Sequence, residues 1–451
     1  MEGLPQGALD IMTTLRENGY AAYVVGGCVR DSLLGIAPKD WDLCTSARPE
    51  EMKRVFAGCH LVETGLKHGT LTVVLRHVPY EVTTFRVDGA YTDHRHPDGV
   101  TFVRDVVKDL ARRDFTVNAM AYAPGEGLVD PFGGQQDLRD GLIRCVGVAA
   151  ERFEEDALRI LRALRFASVY GFEIEEHTAE AVHRLYPSLA SVAAERIRVE
   201  LSKLLCGGAA GRILREYTDV MTFLLPEMKA AVGFAQHTPH HRYDVWEHTI
   251  RAVEAAPPVE TLRLAMLLHD SGKPGAFTMD ADGTGHAYGH ARISREHAER
   301  VLERLKVDHA TRDEVLLLVE KHDHPLSCER TLLRRRLSQY GEETLRRLIA
   351  VQYADTVAKG TVPEEEARAR AQEITNALDA LLAQQPCVTL RQLAVRGNDL
   401  AAVGVPRGRA IGQCLAFLLE QVVEEKLPND RDALLGAAKR LWAGHEAAAS
   451  P

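Results

Sequence analysis

The sequence predicts an α+β protein, with its strands in the first 140 residues and helices after them. Gly69–Arg76 (GTLTVVLR) and Val78–Arg86 (VPYEVTTFR) alternate in polarity and are rich in β-branched residues, the pattern of two paired strands. A shorter apolar run, Tyr23–Val25, reads as a strand that runs straight into Gly26-Gly27. Past the break at Cys206-Gly207-Gly208, all the sequence reads as helical.

The chain of 451 residues suggests roughly two to four domains. Apolar content of 45% with 26% charged residues fits a soluble globular protein. A net charge of −9 is unexpected for a nucleic-acid binder, although a local basic face is enough for phosphate contacts. The eight cysteines show no CxxC spacing, which argues against a zinc site or a disulfide framework. There is no basic-then-apolar leader and no apolar run of membrane-spanning length. A reduced, cytoplasmic enzyme with no membrane partner is the expectation.

In chain order, residues 6–18 carry apolar positions at helical spacing and stop at Gly19. The Tyr23–Val25 strand and the glycine pair follow, and a polar, turn-rich segment then leads to Asp40-Trp41-Asp42. Read as part of a strand, Asp40 and Asp42 project from one face. Two carboxylates so close repel each other unless a cation sits between them, and Mg²⁺ accepts such ligands while keeping phosphates and water. Gly26-Gly27 lets the backbone approach a triphosphate, and Arg30 can meet its charge. Each feature alone is commonplace; together they are the kit for phosphoryl or nucleotidyl transfer. Arg48–Phe56 reads as a helix with Pro49 in its first turn. Glu81 lies in the second of the paired strands. Residues 87–103 form a polar loop bearing Gly and Pro. Residues 151–170 read as one helix with an apolar stripe, on which Asp156 and Arg159 are neighbours three apart, with Arg162 and Arg165 continuing the row. A carboxylate accepts from the exocyclic amine shared by cytosine and adenine, whereas uracil and guanine present a carbonyl there. Such a pair can therefore choose bases.

The string GGxVRDxLLG followed by DxD resembles the class II tRNA nucleotidyltransferases, the CCA-adding enzymes of the polymerase-β-like superfamily. YEVTTFR, RRDFTVNA, VDPFGGQQDL, EDALR and SVAAERIRVELSKLL match further strings of that family, so the resemblance spans nearly the whole chain. It implies a polymerase-β-like head with a small mixed or antiparallel sheet over residues 1–140 and a helical neck over 141–210. A helical body follows over 211–360, then a helical, tRNA-binding tail over 361–451. It implies addition of CCA to the tRNA 3′ end from CTP and ATP, with release of pyrophosphate. Asp40 and Asp42 would hold two Mg²⁺ ions with Glu81 assisting, one ion activating the terminal hydroxyl and the other neutralising the triphosphate. Gly26, Gly27, Arg30, Arg113, Asp114 and Asn118 would bind nucleotide, Asp114 through the ribose hydroxyls. Asp156 and Arg159 would read the base, and Arg162 and Arg165 would support phosphates. Residues 87–103 would be the loop that lets one site switch from CTP to ATP, and Ser191–Leu205 would brace the template helix.

From His237 onward histidines accumulate: His248, His269-Asp270 and Asp355, with His286, His290 and His322 between. The ordered set resembles the HD phosphohydrolase domain. That resemblance implies His248, His269, Asp270 and Asp355 as ligands of a divalent transition metal (Mn, Ni or Co), which turns bound water into a nucleophile. Arg330–Arg347 packs six arginines, a candidate surface for tRNA backbone. Near the end, the stretch from Arg396 resembles the family's tail. Its turn Gly404–Gly408 leads into an apolar helix, where free N–H groups with Arg407 and Arg409 could hold a phosphate, or the turn is a plain helix hairpin.

Three other readings remain. A bacterial poly(A) polymerase shares the head but carries an arginine-rich motif where this chain reads LVETGLKHGTLTVV. An enzyme adding only A fits the same motifs. An HD hydrolase acting on tRNA ends or nucleotides, with the head as a binding module, is opposed by the intact Asp40, Asp42 and Glu81.

Overall fold

The computed structural model describes residues 3–89 and 99–449. Their contacts form two compact units, Met1–Lys229 with Leu302–Val307, and Ala230–Val301 with Asp308–Pro451.

The first unit opens with α1 (Gln6–Glu17), which buries Ile11, Met12 and Leu15, and then β1 (Ala22–Val25), whose four residues are all buried. Instead of the expected turn-rich segment, α2 (Gly27–Leu33) starts at the glycine pair. There follow β2 (Leu43–Thr45), α3 (Pro49–Val55), β3 (His60–Val62), β4 (Thr70–Leu75) and β5 (Val78–Thr84). Next come β6 (Arg86–Asp88), β7 (Val100–Phe102), α4 (Val106–Ala111), β8 (Ala121–Ala123) and β9 (Gly127–Val129). Seven strands make one sheet in the order β3-β4-β5-β2-β1-β8-β9. Its pairings are antiparallel except for β2 with β5. The strands expected at residues 69–76 and 78–86 are β4 and β5, with Leu75 opposite Val78. Their two-residue turn puts Arg76 and His77 at φ 52° and 67°. That is the left-handed geometry a tight hairpin demands, met here without glycine. The ends of the expected loop 87–103 zip together as the ribbon β6–β7. Its centre, residues 90–98, lies outside the described residues.

Helices follow: α5 (Gly134–Asp140), α6 (Ala149–Glu155), α7 (Leu158–Tyr170), α8 (Glu176–Leu185) and α9 (Ala194–Leu205). The single helix expected over 151–170 is thus two. Asp156 is extended (φ −142°, ψ 103°), and its side chain accepts from Leu158 N–H at 3.1 Å. Aspartate breaks the helix by supplying a local acceptor that competes with the backbone ladder. The helix α9 does brace α7: Ser168 Oγ donates to the Leu204 carbonyl at 2.6 Å, and Arg165 pairs with Glu200. The helical rule after residue 140 has two small exceptions, the two-residue strand pairs Leu142–Ile143 with Glu173–Ile174 and Thr278–Met279 with Gly285–His286.

The second unit is helical otherwise. Its central helix, Glu260–Leu268, buries every residue from Leu262 to Leu268 and so has no solvent face. Val245–Ala255, His309–Lys321 and Glu342–Lys359 pack around it. The six arginines expected to form one basic face sit on two helices separated by Gly341, and most are spoken for. Arg330 and Arg335 pair with Glu425 and Glu424, and Arg346 and Arg347 with carboxylates of Glu342, Asp379, Glu343 and Glu314. Buried Arg334 donates to the carbonyls of Val422 and Val423 at 2.7 and 2.9 Å, capping the end of helix Arg409–Val423. A cation there satisfies carbonyls that the helix leaves without partners.

Candidate functional site

The head's acidic centre forms where three strands end together. Val25 N–H donates to the Asp42 carbonyl at 3.0 Å, and Gly26 N–H to the Met120 carbonyl at 3.0 Å. Gly26 has φ 77°, and a Cβ there would lie 2.8 Å from Nη1 of Arg113. Glycine is required twice over, by the backbone and by the guanidinium lying against it. The aspartates are not in a strand, because β2 starts only at Leu43. What gathers the carboxylates is register: β2 and β5 run parallel with Leu43 opposite Val82, so Asp42 and Glu81, one residue earlier on each, lie side by side. Asp40, Asp42 and Glu81 are all exposed, on an open face. Burial of its surroundings and then Glu81 raise the Asp42 pKa above the usual carboxylate range, with Asp40 adding to the push and Arg113 opposing it. An all-oxygen cluster under mutual repulsion fits a hard divalent cation.

Arg113 also faces buried Asp109, at 3.5 Å, an anchor that the sequence reading missed. Asp114 and Asn118 are buried, and Asn118 donates to Asp114 at 3.0 Å. Arg162 reaches the other Asp114 oxygen at 2.6 Å. Burial alone would raise the Asp114 pKa, yet Arg162, Asn118 and Arg159 bring it down to about 2. A depressed carboxylate stabilises the fold above its unfolded value and loses that contribution as pH falls through the folded value. The stabilisation is about 2 kcal/mol. Asp114→Asn should therefore lower urea-unfolding stability by about that much at pH 7, with the gap to wild type closing as pH drops from 3.8 toward 2. A gap that persists unchanged at pH 2 would show that the carboxylate's charge is not what stabilises.

Arg30 is buried rather than open to a triphosphate. It donates to Asn118 at 2.5 Å, pairs with Asp31 at 2.8 Å, and stacks 5.0 and 4.8 Å from the rings of Phe166 and Tyr170. The two rings tie α2 to α7, and Asn118 ties it to the turn before β8. Gly27 opens α2 beside it.

Asp156 and Arg159 are not partners on one helix face. Asp156, in the break between α6 and α7, accepts from Arg196 of α9 at 2.8 Å. Arg159 is held by Glu155 at 2.5 Å and by the carbonyls of Arg112 and Arg152, both at 3.1 Å. Arg165 faces Glu200 and lies 3.8 Å from the Phe166 ring centre. Arg196, which holds Asp156, was missed because no local spacing links position 156 with 196; Glu155, which holds Arg159, stands four residues before it, a spacing that could have been read.

In the second unit His248, His269, Asp270 and Asp355 converge as expected, all buried. His248 Nε2 lies 3.1 Å from His269 Nε2, 3.1 Å from Asp270 Oδ2 and 3.2 Å from Asp355 Oδ1. Ligands about 2.1 Å from a tetrahedral ion stand about 3.4 Å apart, so the spacing suits one. His269 Nδ1 sits 2.7 Å from the Met266 carbonyl, which can only accept. Nδ1 therefore carries a proton, and Nε2 is the atom turned into the cluster. Two more histidines, His290 and His322, join on the far side of Asp270. His286 instead pairs with Asp280 at 2.8 Å. A cavity of about 300 Å³, lined by His241, Lys273, His290, His322 and Lys359, opens onto the cluster.

Among the described residues no helix is long and apolar enough to cross a membrane. The model of the poly A polymerase head domain matches residues 22–144, that of the polymerase A RNA- and SrmB-binding site residues 171–232, and that of tRNA nucleotidyltransferase domain 2 residues 288–438. A CCA-adding enzyme of Leuconostoc mesenteroides is 50% identical over 214 residues, 47% of this chain and about half (53%) of that one. The match to the CCA-adding enzyme of Lactiplantibacillus plantarum is end to end, 35% identical over 446 residues, covering 97% of this chain and 96% of the other. The crystal structure of the Bacillus stearothermophilus CCA-adding enzyme in complex with CTP superposes with a TM-score of 0.73, at 29% identity and 98% coverage of both chains. The Thermotoga maritima CCA-adding enzyme complexed with tRNA-CCA shares the fold, with a TM-score of 0.59 at 22% identity, 97% of this chain and 96% of that one. With head, glycine turn, acidic register and full-length relatives in agreement, the chain belongs to the family of CCA-adding enzymes, the class II tRNA nucleotidyltransferases.

Proposed function

We propose that this chain adds CCA to tRNA 3′ ends from CTP and ATP, releasing pyrophosphate. The observation that carries the reading is the meeting of Asp40, Asp42 and Glu81 beside Gly26 and Arg113 at the open end of the sheet. The family implies a divalent ion, and Asp40 and Asp42, with Glu81 beside them, are the residues that would hold Mg²⁺. Bound there, Mg²⁺ supplies charge neutralisation for the attacking hydroxyl and the departing pyrophosphate. Arg113 places a fixed positive charge over the glycine turn, where a triphosphate would lie. Asp114, kept ionised by Arg162, offers acceptors to the ribose hydroxyls, and Asn118 orients it. Asp156 accepts from the exocyclic amine of cytosine or adenine, and Arg159 donates to ring acceptors; Arg196 and Glu155 position the two. Arg162 and Arg165 stand behind the nucleotide. Gly27 and Arg30 shape the turn from below.

The residues support a fourfold division: catalytic head 1–140, neck 141–210, body 211–360 and tail 361–451. A cytoplasmic location suits an enzyme acting on tRNA. A second reading has its own observation: the buried set His248, His269, Asp270 and Asp355 is built to hold a divalent transition ion, so the body carries a metal-dependent phosphohydrolase centre as well.

The test is incubation of the full chain with tRNA lacking its 3′ end, Mg²⁺, and CTP, ATP or both, followed by sequencing of the ends. CCA from the mixture and only C residues from CTP alone is the expected result. Addition of A only, to ends already bearing CC, would make it a partial enzyme. No addition would overturn the reading.

A further inference from the structure

The carboxylate of Asp114 is held from α7 twice. Arg162 pairs with one of its oxygens directly, at 2.6 Å. The other hold is indirect: it passes through Asn118, Arg30 and Asp31 and ends on the hydroxyl of Tyr170, the last residue of α7. Resting on the reading above that Asp114 binds the ribose hydroxyls, we propose that Tyr170 is a positioning residue for sugar selection. Acting through Asp31, Arg30 and Asn118, it sets the preference for a ribonucleotide over a deoxyribonucleotide.

Each link fixes the next. The Tyr170 hydroxyl donates to Asp31 Oδ1 at 3.0 Å. Burial pushes its pKa up to about 12, so it keeps its proton and donates throughout the neutral range. The same Asp31 oxygen accepts from Arg30 Nε at 2.9 Å and lies 2.8 Å from Arg30 Nη2. Arg30 Nη1 then donates to Asn118 Oδ1 at 2.5 Å. A guanidinium has donors only, so the amide oxygen of Asn118 must turn toward it, and Nδ2 is left to meet Asp114 Oδ1 at 3.0 Å. With the amide reversed, an oxygen would face an ionised carboxylate. Arg30, Asn118 and Asp114 are all buried, where a misdirected dipole is costly.

The guanidinium is also fixed in plane. It lies 4.8 and 5.0 Å from the ring centres of Tyr170 and Phe166, which stack on each other at 18°. Arg162 and Tyr170 stand about two turns apart on α7, so both ends of the circuit are anchored to one rigid element. The Asp114 carboxylate has no loose end about which to turn. Held so, it offers its oxygens to sugar hydroxyls in a single orientation. A deoxyribose lacks the 2′ hydroxyl and gains nothing from that orientation there. Loosening the carboxylate therefore costs the ribonucleotide and spares its deoxy counterpart.

Tyr170→Phe keeps the ring against Arg30 and removes only the hydroxyl. The full chain is assayed with Mg²⁺ and tRNA lacking its 3′ end, and kcat/KM is measured for CTP and for 2′-deoxy-CTP. In Tyr170→Phe the value for CTP should fall by about 2- to 5-fold, within the worth of one hydrogen bond, with the value for deoxy-CTP unchanged. Asp31→Asn, which weakens the grip on Arg30, should narrow the preference further. The double variant should match Asp31→Asn alone, because both changes act through one chain of contacts. Thermal melts confirm that each variant is folded. Equal losses for the two substrates, as a mere brace between α2 and α7 would give, would overturn the proposal and leave Asp114 in its role. So would an unchanged preference in both single variants, or effects that multiply in the double. Asp114→Ala is the control: a wild-type preference in that variant would overturn the ribose reading itself.

Discussion

Replacing Asp42 with asparagine should cut nucleotide addition by roughly 10³-fold or more, because several kcal/mol of charge stabilisation at the reacting phosphate goes with the metal ligand. The same change should not weaken the fold. In the metal-free protein the Asp42 pKa stands above the usual range, through the burial of its surroundings and then through Glu81. A raised carboxylate pKa means that the ionised form works against the folded state at neutral pH, and neutralising it removes that opposition. The expected pair of results is a dead enzyme whose thermal midpoint, measured without Mg²⁺, is equal to or higher than wild type. Added Mg²⁺ should raise the midpoint of the wild type and not of the variant. The wild-type acid limb should also lie above that of an ordinary carboxylate, since protons compete with metal at a site that already holds them well. An unfolded variant, or one that still adds nucleotides at near wild-type rate, would remove Asp42 from its role.

The second large effect concerns which base is accepted. Asp156→Asn keeps the size of the side chain and its acceptor toward Leu158 N–H, and replaces one acceptor oxygen by a donor. Uracil, rejected when its carbonyl meets a carboxylate, can then be bonded. The preference for CTP over UTP in kcat/KM should fall by roughly 10- to 100-fold, the worth of about 1–3 kcal/mol for one well-placed base contact. Because Arg196 holds Asp156 at 2.8 Å, Arg196→Ala should blur selection in the same direction but less, by freeing the carboxylate rather than removing it. Competition assays with labelled CTP and UTP measure both. Unchanged selectivity in Asp156→Asn would move the base reader elsewhere.

What could be seen beforehand follows from how far apart the interacting residues are. The glycine turn, Asp40, Asp42 and Glu81 stand in short local strings, and local strings were enough to name them. The division of 151–170 was invisible, because EEDALRIL keeps helical periodicity straight through Asp156 and only the side chain's own hydrogen bond breaks it. The matching of Arg330, Arg334 and Arg335 was invisible for another reason. Their partners lie near residues 422–425, so an apparent basic face dissolves once the helices pack. The tautomers of His269, His290 and His322 depend on a carbonyl three residues back at a helix end or turn, a detail that follows only from folded backbone.

The contrast in exposure between the two acidic centres has a consequence for how the protein meets its inorganic surroundings. Asp40, Asp42 and Glu81 lie open to solvent, so an ion bound there would exchange freely with the medium. His248, His269 and Asp270 are at most 1% exposed, and an ion among them would exchange only through the cavity that opens onto the cluster. Exchange by that route would be slower than at the open face, so the pocket would carry over metal from the medium in which the chain was made. Batches made in different media would share one polymerising chemistry while differing in what their histidine pocket contains.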